Sequence, residues 1–378
     1  MKPLSNTVEQ FTESIFSTMT KMAMENKAIN LSQGFPDFDG PRWVIDLAAK
    51  ALNEAKNQYA PSMGILPLRQ AIANNYERFY NMKVDATCEV VVTNGATEAI
   101  FCTCFALLNP GDEVVVLEPF YDSYLASIQL TGAKVVPVTL KAPDFHFDIE
   151  ELKAAVTNKT KLLIVNNPHN PTGKVFTAEE ITVIGELAKK HDFYLLSDEV
   201  YEFLTFGVAH KPTATYCDLK DRTITISSTG KTFGLTGWKI GWAVGPANLI
   251  KAIHNVHQFS TFCVAQPLQW AMAEALVKMD DYLVEFKADY LRKKNILVNG
   301  LKECGFNIIE PKGTYFVMAM LPAGEKDVDY CKKLITDKKV ATIPTSAFYI
   351  KSDEGTRMIR FCFAKEDETL KSALKNLH

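Results

Sequence analysis

The chain has 378 residues, 47% of them hydrophobic and 22% charged, with a formal net charge of -3. That length is too great for one small core and implies two lobes. The near-neutral balance offers no electrostatic footprint for nucleic acid or an anionic membrane, which excludes both as expected partners.

Eight cysteines, at 88, 102, 104, 217, 263, 304, 331 and 362, form no CxxC pair and no cluster with histidine. They read as reduced, buried thiols of a cytoplasmic protein, and no metal site is expected. Residues 1–24 include Glu9, Glu13 and several Ser and Thr without a continuous apolar stretch, so neither a signal peptide nor a membrane span is expected.

Short β-branched runs alternate with amphipathic stretches through the middle of the chain. Strand runs are expected at 89–93, 113–117, 134–138, 161–165, 193–197 and 223–226, with helices near 96–108, 123–131 and 178–191. Runs apolar on both faces and separated by helices predict a mostly parallel sheet covered on both sides. The connection from Ile226 to the next apolar run, Ile240–Val244, is short and glycine-rich. A parallel crossover needs a dozen or more residues and usually a helix, so this last strand is expected to run antiparallel. Beyond it come a long helix near 280–303 and strands at 313–319 and 357–364. The segment up to about Pro41 has no strand partner nearby in sequence. A smaller α+β lobe built from both chain ends is the expected result.

Ligands of such sheets gather at the carboxyl ends of the strands. The residues that follow each strand therefore describe a site. They are Asn94-Gly95-Ala96-Thr97, Glu118-Pro119-Phe120-Tyr121, Asn166 through Gly173, Asp198-Glu199-Val200-Tyr201, and the run Ser227 through Lys239. The last of these holds Lys231 in a tight polar turn and Lys239 just before the antiparallel strand, which places both lysines at one rim. A lysine amine becomes a nucleophile where burial or a nearby cation disfavours its charge. One lysine can then bond to an aldehyde while the other holds an anion. Gly95-Ala96-Thr97 opens a helix, where backbone N–H groups and the helix dipole favour phosphate, or serve only as a cap. Asp198 either caps a turn or keeps a pyridinium nitrogen protonated. Arg360 sits in an otherwise apolar strand, either facing outward or offering a fork to a carboxylate.

Taken together, Asn170-Pro171-Thr172-Gly173, Asp198-Glu199-Val200-Tyr201 and Ser228 through Lys231 resemble the pyridoxal-phosphate-dependent class I/II aminotransferases of fold type I. The resemblance runs from about Asn30 to Arg360. It implies an α/β fold: a large domain, 42–278, with a mostly parallel seven-stranded sheet, and a small α+β domain from 1–41 and 279–378. It implies pyridoxal 5'-phosphate as cofactor, with Lys231 bound to it and moving the proton. Asp198 would pair with the pyridine nitrogen, Asn170 and Tyr201 would address the phenolic oxygen, and Tyr121 would stack on the ring. Ala96, Thr97, Ser228 and Lys239 would hold the phosphate. Tyr59 would reach the phosphate of a neighbouring subunit, which implies a homodimer with shared sites. Arg360, Asn170 and the Gly34 backbone would bind the substrate α-carboxylate.

Many members of the family carry arginine where Lys239 stands. The branch resembling kynurenine, glutamine and methionine aminotransferases uses lysine, and Gln33 through Phe38 and Val256-His257-Gln258-Phe259 resemble it too, especially its bacterial methionine-preferring members. In the family, the segment 254–266 lines the partner's site; here it brings Phe259, Phe262 and His257 but no Arg or Lys. A dicarboxylate substrate would need a second cation, so an apolar or aromatic amino acid is expected: methionine, phenylalanine, tyrosine, kynurenine or glutamine. The amino group would pass to a 2-oxo acid by a ping-pong route. A cysteine-conjugate C–S β-lyase on the same fold is the alternative. A nicotinamide dehydrogenase would need G-x-G-x-x-G after the first strand, and Asn94 through Glu98 lacks it.

Overall fold

The computed structural model describes residues 2, 5, 7–11 and 15–378. Residues 1, 3, 4, 6 and 12–14 of the expected second lobe lie outside that set.

Seven strands form the main sheet: β1 (Val90–Asn94), β2 (Glu113–Glu118), β3 (Lys134–Thr139), β4 (Thr160–Asn166), β5 (Tyr194–Asp198), β6 (Thr223–Ser228) and β7 (Ile240–Val244). Their order across the sheet is β1-β7-β6-β5-β4-β2-β3. Only β7 runs against the rest, pairing antiparallel with both β1 and β6. The link from β6 to β7, residues 229–239, is too short for a crossover, which is why the chain turns back on itself.

Alternation along these strands feeds two cores. Val91, Val114, Val116, Ile164, Ile224 and Ile226 point to one face, under the helices Gly95–Leu107 (α1) and Ala247–Ser260. Val90, Val92, Val115, Leu117, Leu163 and Val165 point to the other, where the core is continuous with the C-terminal strands. Both faces are dry, so the runs read as unbroken Val/Ile/Leu rather than as apolar–polar alternation.

Differences from expectation are local. The strand expected at 313–319 spans Phe316–Met320, because Thr314 takes φ 63 and Gly313 bridges Thr205 instead. The run expected at 357–364 is Met358–Cys362, preceded by a 3-10 turn that includes Arg357. Lys231 stands on a one-turn helix, Thr229–Thr232, rather than in an open turn. Near the N-terminus, Ile29 and Asn30 do find a strand partner. They pair in parallel with Val340 and Ala341, from the far end of the sequence. This ladder brings the two chain ends together, and the Cys362 N–H donates to the Leu31 carbonyl at 2.9 Å.

A carboxylate ties the C-terminal segment to the end of β2. Glu118 is fully buried and accepts the backbone N–H groups of Ile350, Lys351 and Ser352 at 2.9–3.0 Å, together with the Thr139 hydroxyl. Four donors satisfy its lone pairs without a cation. The Phe120 N–H donates to the Phe348 carbonyl at 3.0 Å, holding the Phe348 ring 5.0 Å from the Arg360 guanidinium.

Candidate active site

The carboxyl ends of β1, β2, β4, β5 and β6 and the start of β7 open onto one cavity of about 380 Å³. It is lined by eleven of the twelve expected site residues: Gly34, Ala96, Thr97, Tyr121, Asn170, Asp198, Tyr201, Ser228, Lys231, Lys239 and Arg360.

At one end lies an anion cradle. Gly95 takes φ 80, and a Cβ there would meet Lys239 Cε and Nζ at 3.1 Å. A Cβ at Gly241 would stand 2.6 Å from Ala96 N. Two glycines thus let the N-terminus of α1 and the Lys239 ammonium approach each other. The free N–H groups of a helix start beside a cation favour a phosphate-sized anion. Ser228 adds a hydroxyl from the end of β6, where it also accepts from the Gly230 N–H at 3.2 Å. Thr97 and Lys239 are solvent-exposed, so the cradle is open on its outer side.

Behind α1, Glu98 accepts from Asn94, Thr261 and His257. Burial alone would raise its carboxyl, but those bonds outweigh it and hold the group at about 2. His257 is fully buried in this contact, 2.9 Å from Glu98. That corrects its expected place in a partner's pocket: it faces inward. Phe259 and Phe262 of the same segment are exposed.

At the cavity floor Asp198 is 4% exposed, and burial raises its carboxyl to about 6. The Tyr124 hydroxyl donates to it at 2.6 Å and opposes that rise. Glu199 and Glu202, from the same short run, are buried elsewhere: Glu199 holds Ser197 and His210, and Glu202 holds Tyr80 and Ser227. Lys231 shares the cavity with Asp198, its Nζ 2.8 Å from the Tyr315 hydroxyl, which itself donates to the Gly34 carbonyl at 2.5 Å. The amine is lowered to about 8, chiefly by loss of water, with Lys239 and Arg360 adding to the effect. A neutral amine is therefore accessible near neutral pH, as a nucleophilic lysine requires. Tyr201 is buried with its phenol pushed well up by loss of water, so it stays a hydrogen-bond donor.

Arg360 is 1% exposed and stacks on the Phe316 ring at 3.8 Å. Its guanidinium donates to Asn170 Oδ1 at 2.8 Å and to the Ser32 carbonyl at 3.2 Å, while its Nε has no partner. Burial lowers it to about 10, still charged at neutral pH. A buried arginine with an orphaned N–H and no carboxylate bonded to it is a fork awaiting an anion. The Gly34 carbonyl is committed to Tyr315, which leaves its N–H for such an anion. Asn170 is set by Asn166, whose Oδ1 accepts the Asn170 N–H at 2.7 Å.

Tyr59 stands apart. It is 82% exposed and packs edge-on against Phe262 at 5.3 Å, outside this chain's own cavity.

Sequence reasoning missed Tyr124, Asn166 and Tyr315. Tyr124 lies one helical turn past Tyr121, and Asn166 ends a strand four residues before Asn170, so both carried a local signal. Tyr315 carried none, being 84 residues from Lys231.

The donor set fits pyridoxal phosphate: an anion cradle, a carboxylate on the floor, and a lysine of lowered basicity between them. Comparison with known proteins agrees. The model of aminotransferase class I and II matches residues 26–377. Methionine aminotransferase of Escherichia coli (strain K12) is 39% identical, over 97% of this chain and 96% of that protein. Kynurenine–oxoglutarate transaminase of Dictyostelium discoideum is 38% identical, over 100% of this chain and 96% of that one. The structure of N-succinyldiaminopimelate aminotransferase from Mycobacterium tuberculosis superposes with a TM-score of 0.96 at 40% identity, covering 99% of each chain. These relatives are all aminotransferases, and none supports the β-lyase alternative. With its fold-type-I sheet, this chain belongs to the class I and II aminotransferases: it is a pyridoxal-phosphate-dependent enzyme that transfers amino groups between amino acids and 2-oxo acids.

Proposed function

We propose that the preferred donor is a neutral amino acid with an apolar or aromatic side chain, of the methionine, phenylalanine, tyrosine, kynurenine or glutamine class. The observation that carries this is the cavity's charge inventory. Among the described residues its cations are Lys231, Lys239 and Arg360, and each already has a task in this reading, which leaves none of them for a side-chain carboxylate. Phe16, Phe35, Ile100 and Phe316 supply apolar wall. Relatives named for methionine and kynurenine favour the same class, while the N-succinyldiaminopimelate enzyme shows that the family framework accepts others.

In this reading Arg360, Asn170 and the Gly34 N–H hold the substrate α-carboxylate. Ala96, Thr97, Ser228 and Lys239 hold the cofactor phosphate. Asp198 would keep the ring nitrogen protonated, Asn170 and Tyr201 would donate to the phenolic oxygen, and Tyr121 would lie against the ring. When bound, the cofactor supplies an aldehyde for the amino group and an electron sink for the substrate Cα. Lys231 Nζ would be the base that moves the substrate Cα proton, with Tyr315, 2.8 Å away, orienting that amine. The enclosed floor keeps water from the reacting carbon.

The same reading includes a homodimer and a large domain of 42–278 beside a small one of 1–41 and 279–378. Support for the dimer comes from the open outer side of the cradle and from exposed Tyr59, Phe259 and Phe262. A cytoplasmic location fits the eight free cysteines; no helix among the described residues is long and apolar enough to cross a membrane.

The deciding experiment is a half-reaction screen of amino acids without a 2-oxo acid, followed by the cofactor's visible absorbance. Methionine, aromatic amino acids or glutamine are expected to react fastest; aspartate reacting fastest overturns the reading. Tyr124 gives a second check. Removing its hydroxyl with Tyr124→Phe deletes a bond that favours the Asp198 anion, so the Asp198 pKa rises. One hydrogen bond to a charged group is worth about 1.5–3 kcal/mol, or roughly one to two pH units. The acid limb of the kcat profile is expected to move to higher pH by that amount. A uniform loss of rate at every pH counts against this role.

A further inference from the structure

Among the described residues, five charged ones line the cavity: Asp122, Asp198, Lys231, Lys239 and Arg360. Four have positions already accounted for. Asp198 accepts from Tyr124, Lys231 donates to Tyr315, Arg360 donates to Asn170 and Ser32, and Lys239 lies against Gly95 at the helix start. Asp122 is the remaining one. No side chain among the described residues hydrogen-bonds or ion-pairs with it. Burial raises its carboxyl, while the backbone N–H groups of Ser123 and of Asp122 itself and the Arg360 guanidinium oppose that rise.

Asp122 is also held in place. It follows Tyr121 and immediately precedes the helix Ser123–Gln129, which is anchored by the Tyr124–Asp198 bond at 2.6 Å. The backbone thus places Asp122 on the wall of the cavity. Gln33, whose amide nitrogen is committed to the Thr20 hydroxyl at 2.7 Å, lines the same space and adds no charge.

We infer that Asp122 is the specificity-determining residue of this site. It forms an anionic wall that turns away side-chain carboxylates and favours side chains carrying a hydrogen-bond donor, such as a carboxamide or an arylamine. Like charges brought together in a cavity stripped of water repel far more than in bulk solvent. A donor group on the substrate instead meets an unpaired acceptor, the pairing that lets a buried polar group discriminate strongly. The same wall faces the second substrate, since both 2-oxo acid and amino acid occupy one cavity. Neutral 2-oxo acids are therefore the better acceptors, and 2-oxoglutarate a poor one. This inference rests on the proposed neutral-donor reading and adds the residue that enforces it.

The test compares glutamate with glutamine, which differ in side-chain charge at nearly constant shape, using the cofactor-loaded enzyme. The wild-type protein is expected to favour glutamine in kcat/KM by about tenfold or more. Asp122→Asn keeps the size of the side chain while removing its charge. It is expected to raise the glutamate-to-glutamine ratio by about tenfold and to raise 2-oxoglutarate relative to neutral 2-oxo acids in the same direction. Asp122→Ser, also neutral and well tolerated before a helix, serves if the first variant does not fold. Ratios that move less than about twofold in the folded variant overturn the assignment to Asp122 while leaving the neutral-donor reading intact. A wild-type enzyme that reacts best with aspartate or glutamate overturns both.

Discussion

Replacing Lys231 by alanine is expected to lower kcat for amino-group transfer by about 10³-fold or more. In the proposed reading the variant loses both the amine that would bond to the cofactor and the base for the Cα proton, and positioned acid–base groups alone contribute about 10²–10⁴-fold. The visible absorbance of the cofactor-loaded protein should change with it. The fold should survive, because the amine stands on a one-turn helix with its tip in the cavity, and its partner Tyr315 keeps its bond to the Gly34 carbonyl. Thermal unfolding of the cofactor-free proteins checks this point. A Lys231→Ala variant that folds, shows unchanged absorbance and transfers amino groups at the wild-type rate refutes the role given to Lys231.

The second large effect concerns Arg360. Lysine there keeps a positive charge but loses the planar fork, the donation to Asn170 and the stack on Phe316. In the proposed reading two charge-assisted hydrogen bonds to the substrate carboxylate are lost or weakened, at about 1.5–3 kcal/mol each. Arg360→Lys is therefore expected to reduce kcat/KM by roughly 10²- to 10³-fold, and the loss should appear mainly in KM. Amines lacking an α-carboxylate provide the control, since their slow reaction should be indifferent to the change. If Arg360→Lys depresses both classes of substrate equally, the arginine serves the fold rather than the carboxylate.

Much of this site was legible because the chemistry sits at strand ends, where local sequence has a fixed spatial meaning. In a parallel sheet covered on both sides, every residue just past a strand arrives at the same rim. Asn94 to Thr97, Asn170, Asp198 to Tyr201 and Ser228 to Lys231 therefore converge without any knowledge of packing. The short glycine-rich link before Ile240 also decided its strand direction, and with it the position of Lys239. His257 shows where this logic stops. Its segment pointed toward a partner, but a helix has an inner and an outer face, and Glu98 on the neighbouring helix determines which one His257 takes.

The sequence by itself determined the sheet, the order of its strands along the chain, the lysine and the carboxylate that meet at its rim, and the family. These depend on periodicity, on turn residues and on short motifs, all of which act over a few neighbours. Only the tertiary structure decided how those groups are tuned. Tyr124 on Asp198, Tyr315 on Lys231, and Phe16, Phe316 and Phe348 around Arg360 come from distant parts of the chain. Basicity and selectivity depend on which groups exclude water and which face each other across a cavity, and those relations exist only once the chain ends have folded back over the rim.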